Sequence, residues 1–209
     1  VLRQWAKEQE IIHYFPEGSG GIEHVLLPEQ GLIAPGELIV GADSHSCTYG
    51  AFGTFASGMG TTDIAAALAL GETWLRVPET IKFELTGRLQ PMVTGKDLIL
   101  FIIGQIGLDG ARYKAMEFTG EAMRSLPMED RMTVTNMVVE AGGKNGVFEV
   151  DATTDAYLQD HGVTRPWTAY SSDTDAEYDH AYRWDASALA PLVAIPFLPS
   201  NVFPVNEVQ

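Results

Sequence analysis

The chain has 209 residues, 45% of them hydrophobic and 20% charged, and its 13 basic residues are outnumbered by 28 acidic ones, giving a formal charge of −15. This is the composition of a globular protein with one large or two small domains, and the acidic balance disfavours binding to nucleic acid or to acidic membranes. One cysteine excludes an internal disulfide framework and fits a reduced, cytoplasmic compartment, and no apolar run reaches the roughly 18 residues that span a bilayer.

The first third of the chain is predicted to alternate helices with strands. Apolar residues at helical spacing predict a helix over residues 61–76, which Thr61 or Thr62 can cap. The other elements expected here are a helix over 2–10, a short strand over 11–15, a loop over 17–21, a short helix that ends near Pro28, a buried strand over 36–42 and then a glycine-rich turn.

The rest of the chain repeats this alternation. Strands are predicted over 80–87, 114–120, 146–150 and near 191–196, and helices over 94–107, 128–143 and 153–162, with a polar stretch over 171–184. Thr94 is expected to open the second of the long helices and Gly107 to close it. Strands separated by helices are the signature of an α/β fold. An internal boundary is expected near Val77-Pro78.

The tripeptide Asp43-Ser44-His45 follows directly on a predicted strand and precedes a glycine-rich run. In an extended strand Asp43 and His45 would share one face and Ser44 would point the other way, so three adjacent residues cannot form a hydrolytic triad. Ligands of open α/β sheets gather at the carboxyl ends of strands, which makes this a candidate site. The alternative is a polar cap that satisfies free backbone N–H groups.

A second candidate is the polar stripe formed by Thr133, Asn136 and Glu140 on the predicted helix over 128–143. The alternative is that this stripe is the solvated face of an amphipathic helix. However, the stripe contains no basic residue, and an amide and a carboxylate four residues apart can serve one ligand together. His24 is a third candidate, although a lone histidine among apolar residues is more often structural.

The run "GADSHSCTYGAFGTFASGMGTTD" closely resembles the Asp-Ser-His-Thr signature of the aconitase superfamily. Its Cys-Thr-Tyr-Gly-Ala continuation is most similar to the isopropylmalate dehydratase and homoaconitase branch. Two downstream stretches, "VPETIKFELTGRLQPMVTGKDLILFIIGQIGLDGARYKAMEFTG" and "RMTVTNMVVEAGGKNGVFEVD", match the same large-subunit pattern in order. The resemblance covers about residues 10–209. It implies an incomplete three-layer α/β/α iron–sulfur domain, with the end of a first subdomain over 1–77, a second over 78–185 and the start of a third over 186–209.

The resemblance implies a hydro-lyase that moves a hydroxyl group by dehydration and rehydration, in leucine biosynthesis for the isopropylmalate branch. A 4Fe–4S cluster held by three cysteines leaves one iron open to the substrate. Histidine–carboxylate pairs surround that iron in the family. His24 matches the histidine that is paired with the signature aspartate, Asp43. His45 matches the signature histidine, whose partner is the helix glutamate, Glu140.

Two further positions match substrate-binding residues of the family. Ser44 matches the serine that binds a substrate carboxylate, and Asn136 matches the site asparagine one turn before the helix glutamate. Cys47 matches neither of the family's cysteine motifs, which fall after residue 209, and three thiolates are needed to hold a cluster.

The chain is therefore expected to be an internal piece of a longer large subunit, inactive and without a cluster when alone. Its expected partners are a small, swivel-domain subunit and a small hydroxy-acid substrate. Other possibilities are a hydratase for another hydroxy-acid, a cluster-free RNA-binding relative and a regulatory fragment, of which the charge of −15 disfavours RNA binding.

Overall fold

The structure is a computed structural model that describes residues 1–208. The α-helices are α1 (Leu2–Glu8), α2 (Glu23–Glu29), α3 (Thr61–Leu70), α4 (Gly95–Ile106), α5 (Glu121–Arg124), α6 (Met128–Asn136) and α7 (Ala152–Asp160). The strands are β1 (Leu38–Gly41), β2 (Phe55–Gly58), β3 (Thr80–Thr86), β4 (Ala115–Thr119), β5 (Asn145–Phe148), β6 (His180–Asp185), β7 (Leu192–Ala194) and β8 (Val202–Pro204). Short 3-10 helices span Ser44–Phe52, Met137–Ala141, Ala186–Ala188 and Val205–Glu207. No helix within residues 1–208 is both long and apolar enough to cross a membrane.

A four-stranded parallel sheet in the order β5-β4-β3-β6 carries the main core. Along β3, Ile81, Phe83 and Leu85 are buried and alternate with partly exposed residues, as the period of two in the sequence predicts. These three side chains share one hydrophobic cluster with the buried face of α4. The predicted mixed α/β fold, with helices packed on a parallel sheet, is thereby confirmed.

Both ends of α4 lie where the sequence predicts them. Thr94 and Asp97 form a capping box, in which the Thr94 backbone N–H donates to Asp97 Oδ2 over 2.7 Å. The other carboxylate oxygen of Asp97 accepts the backbone N–H of Leu192 over 2.7 Å, which ties β7 to the start of α4. Gly107 ends the helix with a φ of 77°.

A second, smaller sheet supports the Asp-Ser-His segment. It pairs β1 with β2 in parallel, and the 3-10 helix Ser44–Phe52 lies between this pair and β5. Gly50 contacts the carbonyl group of Gly146 so closely that a Cβ atom would not fit. The side-chain oxygen of Asn145 accepts the N–H of Ala56 over 3.0 Å. Packing on β5 thus fixes the segment that follows β1.

Several predictions for the first third of the chain are wrong in detail. Residues 11–15 pair with no strand in the described chain, and Ile12 is 89% exposed. The strand expected over 36–42 is present as β1, but it is not buried, since it lies in a two-stranded sheet and Leu38 is 62% exposed. The expected turn after His45 is instead a 3-10 helix followed by β2, which was not predicted.

The helix α3 is shorter and more exposed than expected. It ends at Leu70 rather than near residue 76 because Gly71 adopts a left-handed conformation (φ 73°). The N-cap is Gly60, and Thr61 is already the first helical residue. None of its residues is buried, and the leucine at its end is 72% exposed.

The second half of the chain also differs from the prediction at several elements. The helix expected over 128–143 is α6 up to Asn136 and then tightens to a 3-10 helix. The polar stretch over 171–184 contains β6, whose Tyr182 and Trp184 stack on Phe83 with ring centroids 5.4 and 6.0 Å away. The short helix α5 was not predicted, and the last predicted strand is the antiparallel pair of β7 and β8. The two-stranded sheet of β1 and β2 precedes residue 77 in the chain, and the four-stranded sheet and the pair of β7 and β8 follow it, whereas the division into subdomains stays a prediction.

Candidate active site

The candidate site begins where β1 ends. Asp43 is the N-cap of the 3-10 helix Ser44–Phe52, and its Oδ1 accepts the backbone N–H of His45 over 2.7 Å. The expectation that Asp43 and His45 share one strand face with Ser44 opposite is wrong, because the chain turns into this helix instead of continuing extended. As a result Ser44 Oγ lies 3.1 Å from His45 Nδ1.

His24, from the start of α2, lies against Asp43. Its Nε2 is 3.0 Å from Asp43 Oδ1, and its side chain is only 13% exposed. The other ring nitrogen, Nδ1, is buried and finds no hydrogen-bond partner within residues 1–208, since the nearest carboxylate oxygen, on Glu23, is 3.8 Å away. The geometry fits a neutral imidazole that carries its proton on Nε2 and donates it to Asp43.

His45 stands between two carboxylates. Its Nδ1 is 3.7 Å from Asp43 Oδ1, and its Nε2 is 3.7 Å from Glu140 Oε1. At 3.7 Å neither contact is a hydrogen bond, although both are close enough for attraction to a protonated ring. The side chain of His45 is 33% exposed, so part of the ring lies open to solvent. The rings of His24 and His45 have their centroids 6.2 Å apart.

The polar stripe of the second candidate is only partly assembled at this site. Asn136, the last residue of α6, donates from Nδ2 to Thr48 Oγ1 over 2.9 Å. Glu140 reaches His45 from the 3-10 helix that follows α6. Thr133, by contrast, donates its hydroxyl to the carbonyl of Glu129 over 2.9 Å within its own helix, and makes no contact to the site.

The electrostatics of the site favour an ionised Asp43. The backbone hydrogen bond from His45 is the largest cause that lowers the pKa of this carboxyl, and the neighbouring imidazole of His24 adds to it. Tyr49 packs edge-on to His24, 6.0 Å between centroids, and burial raises the pKa of its phenol. The site therefore combines the ionised Asp43 carboxylate with the uncharged phenol ring of Tyr49.

The single cysteine thiol does not fit an iron–sulfur cluster, and neither does the one group of possible metal ligands found within residues 1–208. Cys47 is 1% exposed, burial raises the pKa of its thiol to about 12, and its Sγ lies 3.5 Å from the carbonyl of Asn136. A cluster requires several cysteine thiolates, and the chain has one cysteine. Glu23, His24 and Asp43 present ligand atoms within 4.8 Å of one another, but His24 and Asp43 already bind each other, and we assign no metal to them.

The site lies apart from the cavity of about 860 Å³ that borders β3, β4 and β5. Lys82, Glu117 and Asn145 line that cavity, and it contains none of the six residues singled out from the sequence. Thr48 and Tyr49, by contrast, contact the site and were not singled out. The sequence feature that could have pointed to Thr48 and Tyr49 is the "SCTYG" run, in which every residue is buried.

The family model described as the aconitase family (aconitate hydratase) matches residues 1–209. The chain is 58% identical over 207 residues to a 3-isopropylmalate dehydratase large subunit from Aquifex aeolicus, covering 99% of the chain and 48% of that protein. Proteins of the same name are 55% identical in Syntrophus aciditrophicus, where 100% of the chain and 49% of the relative are covered, and 56% identical in Moorella thermoacetica, with the same two shares. The chain thus spans about half the length of these relatives.

Proposed function

The chain belongs to the aconitase family, and on that premise we propose that it carries acid–base residues of a hydro-lyase that interconverts 2-isopropylmalate and 3-isopropylmalate. The name of its relatives, 3-isopropylmalate dehydratase large subunit, suggests the substrate. The observation that carries the proposal is the convergence of His24, Asp43, His45 and Glu140, which come from three separate segments of the chain.

The chemistry requires a proton donor. Dehydration breaks a carbon–oxygen bond and a carbon–hydrogen bond on the neighbouring carbon. The oxygen leaves as water when an acid donates a proton to it, and a separate base, which we propose lies outside this chain, takes the proton from carbon; rehydration reverses both transfers. Protonated His45 is suited to this transfer because its side chain is 33% exposed and Glu140 Oε1 lies 3.7 Å from Nε2, where the carboxylate stabilises a proton on that nitrogen. On giving up its proton the ring becomes neutral, and it is recharged when water is added back.

His24 and Asp43 have a supporting role in this proposal. Nε2 of His24 is bound to Asp43, and Nδ1 of the same ring is buried. This imidazole therefore orients the Asp43 carboxylate and keeps it charged. Asp43 in turn fixes the backbone of His45 through its N–H and faces the Nδ1 side of that ring.

Ser44 and Asn136 are proposed to bind the substrate. The Ser44 hydroxyl can donate to a carboxylate, and the Asn136 amide offers both a donor and an acceptor. The Ser44 hydroxyl lies 3.1 Å from the His45 ring, and the Asn136 amide is linked to the His45 backbone through the Thr48 hydroxyl. An anionic substrate would thus meet uncharged hydrogen-bonding groups within a chain of net charge −15.

Aconitase-family enzymes use an iron–sulfur cluster, which acts as a Lewis acid, and we propose a 4Fe–4S cluster for the whole enzyme. The residues of this chain do not fit as its ligands, since the single thiol is buried and protonated. The cluster ligands and a small subunit are therefore proposed to come from further polypeptide, in keeping with a chain that spans half the length of its relatives.

The test compares this chain alone with a full-length large subunit that contains it, assembled with its small subunit. Isopropylmalate dehydration is followed by the absorbance of the unsaturated product, and iron and labile sulfide are measured on both samples. We expect turnover and cluster only in the assembled enzyme. Stoichiometric cluster or turnover from the 209 residues alone would contradict the proposal, as would an assembled enzyme that does not dehydrate isopropylmalate.

A further inference from the structure

We propose that Thr48 is a positioning residue that fixes the amide of Asn136 relative to His45, an inference that rests on the function proposed above. Thr48 lies in the 3-10 helix that carries His45 and is 2% exposed. It is too deeply buried to touch a substrate, and its hydroxyl group contacts both site residues.

The direction of these hydrogen bonds follows from the atoms involved. Thr48 Oγ1 is 2.6 Å from the backbone carbonyl oxygen of His45, which can only accept. The single hydroxyl hydrogen is therefore committed to His45. Towards Asn136, 2.9 Å away, the same oxygen can only accept, so the amide must present its nitrogen.

The Thr48 hydroxyl thus fixes the orientation of the Asn136 amide, whose oxygen and nitrogen are nearly equal in size and cannot be told apart by shape. With Nδ2 bound to Thr48, the Asn136 carbonyl oxygen points away from the Thr48 hydroxyl group. If the amide flipped, two oxygens without a shared hydrogen would face each other at 2.9 Å, which is repulsive.

A second bond between the same two elements makes Thr48 a fixed reference point. Its backbone carbonyl oxygen is the nearest acceptor to the hydroxyl of the fully buried Thr135, at 2.8 Å, against 3.0 and 3.2 Å for the carbonyls of Arg131 and Met132 in the same helix as Thr135. The 3-10 helix and α6 are therefore joined through both the backbone and the side chain of Thr48. Only the side-chain bond reaches Asn136, which gives a way to separate positioning from packing.

The experiment uses the side-chain amide of Asn136 in the ¹⁵N-labelled 209-residue chain, assigned by its disappearance in Asn136→Asp. We expect one amide hydrogen to exchange slowly with solvent. Thr48→Val keeps the shape of the side chain but removes the hydroxyl group, and it should abolish the slow exchange. Thr48→Ser should restore it, and Thr135→Val, the matched control, should leave it in place.

Unchanged protection in Thr48→Val would overturn the proposal, and so would loss of protection in Thr48→Ser. If Thr48→Val does not fold, as judged by circular dichroism, Thr48→Ala removes the same hydroxyl without the added methyl group and must give the same loss. In the assembled enzyme, Thr48→Val should lower kcat/KM by about ten- to a hundredfold, while Thr48→Ser recovers it.

The two proposals fail separately. If Asn136 loses protection in Thr48→Val but His45→Ala leaves turnover intact, the hydrogen-bond assignment stands and the proposed function is wrong. If His45→Ala abolishes turnover while Thr48→Val leaves both protection and kcat/KM unchanged, the function stands and the positioning role is wrong.

Discussion

The two histidines of the candidate site are held in different ways. His24 is 13% exposed and binds its carboxylate over 3.0 Å, whereas His45 is 33% exposed and lies 3.7 Å from Glu140 on one side and 3.7 Å from Asp43 on the other. The His24 ring is held by a hydrogen bond to Asp43. The more exposed His45 ring lies between two carboxylates without a hydrogen bond to either.

The difference suggests a division of labour. A side chain that must gain and lose a proton in each catalytic cycle needs to be open to the substrate, and His45 is the more exposed of the two rings. A side chain that holds another in place needs a short hydrogen bond and little solvent, and His24 has both. Asp43 contacts both histidines, so it is the link between the two.

The largest effect on stability is expected from a buried ion pair outside the candidate site. Arg131 is fully buried and binds Asp151 through two hydrogen bonds of 2.9 and 2.7 Å. Asp151→Ala leaves this guanidinium unpaired and removes the cap of α7, so we expect the free energy of unfolding to fall by about 3–5 kcal/mol in urea titrations. Asp160→Ala, an exposed change of the same charge, should stay within about 0.5 kcal/mol. Equal losses in both variants would contradict the structural role of the pair.

The largest effect on chemistry is expected at the accessible ring. His45→Ala in the assembled enzyme should lower turnover by about a hundredfold or more, the usual scale for acid–base groups, and Asp43→Ala should do the same because it disturbs both histidines. Initial rates of isopropylmalate dehydration measure this. His13→Ala, at an exposed histidine to which we assign no role, is the control. Undiminished turnover in His45→Ala would remove this residue from the mechanism.

A smaller loss is expected when the carboxylate that faces His45 Nε2 is neutralised. Glu140→Gln keeps the size of the side chain but removes a charge that lies 3.7 Å from His45, beyond hydrogen-bond distance. We expect kcat to fall by about 10- to 100-fold, the range for groups that orient another side chain. Glu149→Gln, at an exposed position, should have no effect on kcat. A larger loss in Glu140→Gln than in His45→Ala would reverse the proposed roles.

The smallest effect concerns the stability that Asp43 contributes as a helix cap. Asp43→Ala should lower the free energy of unfolding by about 1 kcal/mol at pH 7, and Asp109→Ala, at an exposed position, should not. The pKa of Asp43 is lowered in the folded chain, so its charged form stabilises the fold. This contribution is complete above the unfolded pKa of about 3.9 and is lost as the pH falls through the folded pKa. A difference between the variants that grew towards acid pH would contradict this sign.

Local signals in the sequence were enough for the central elements. The caps of α4 at Thr94 and Gly107 and the alternation along β3 involve neighbours in the chain, so they could be predicted. The strand β6 was missed because it is polar at the sheet edge, although its Tyr182 and Trp184 alternate as a strand requires. Residues 11–15 carry strand-forming residues but find no partner strand, which no local pattern reveals.

Less of the candidate site than of the fold could be predicted from the residues alone. Asp43-Ser44-His45 stood out by its position, but the pairing of His24 with Asp43 and of His45 with Glu140 followed only from the family resemblance. The spacing suggested a strand, and the helical turn that brings Ser44 against His45 depends on packing against β5. Thr48 escaped notice because its partner Asn136 is 88 residues away.

The most direct test of the different roles of His24 and His45 is a measurement of their tautomeric states in solution. Long-range ¹H–¹⁵N correlation spectra of the 209-residue chain report which ring nitrogen carries the proton. We expect neutral His24 to carry it on Nε2, bound to Asp43, and to lose this preference in Asp43→Ala. A proton on Nδ1 of His24, or a spectrum that Asp43→Ala leaves unchanged, would contradict the account.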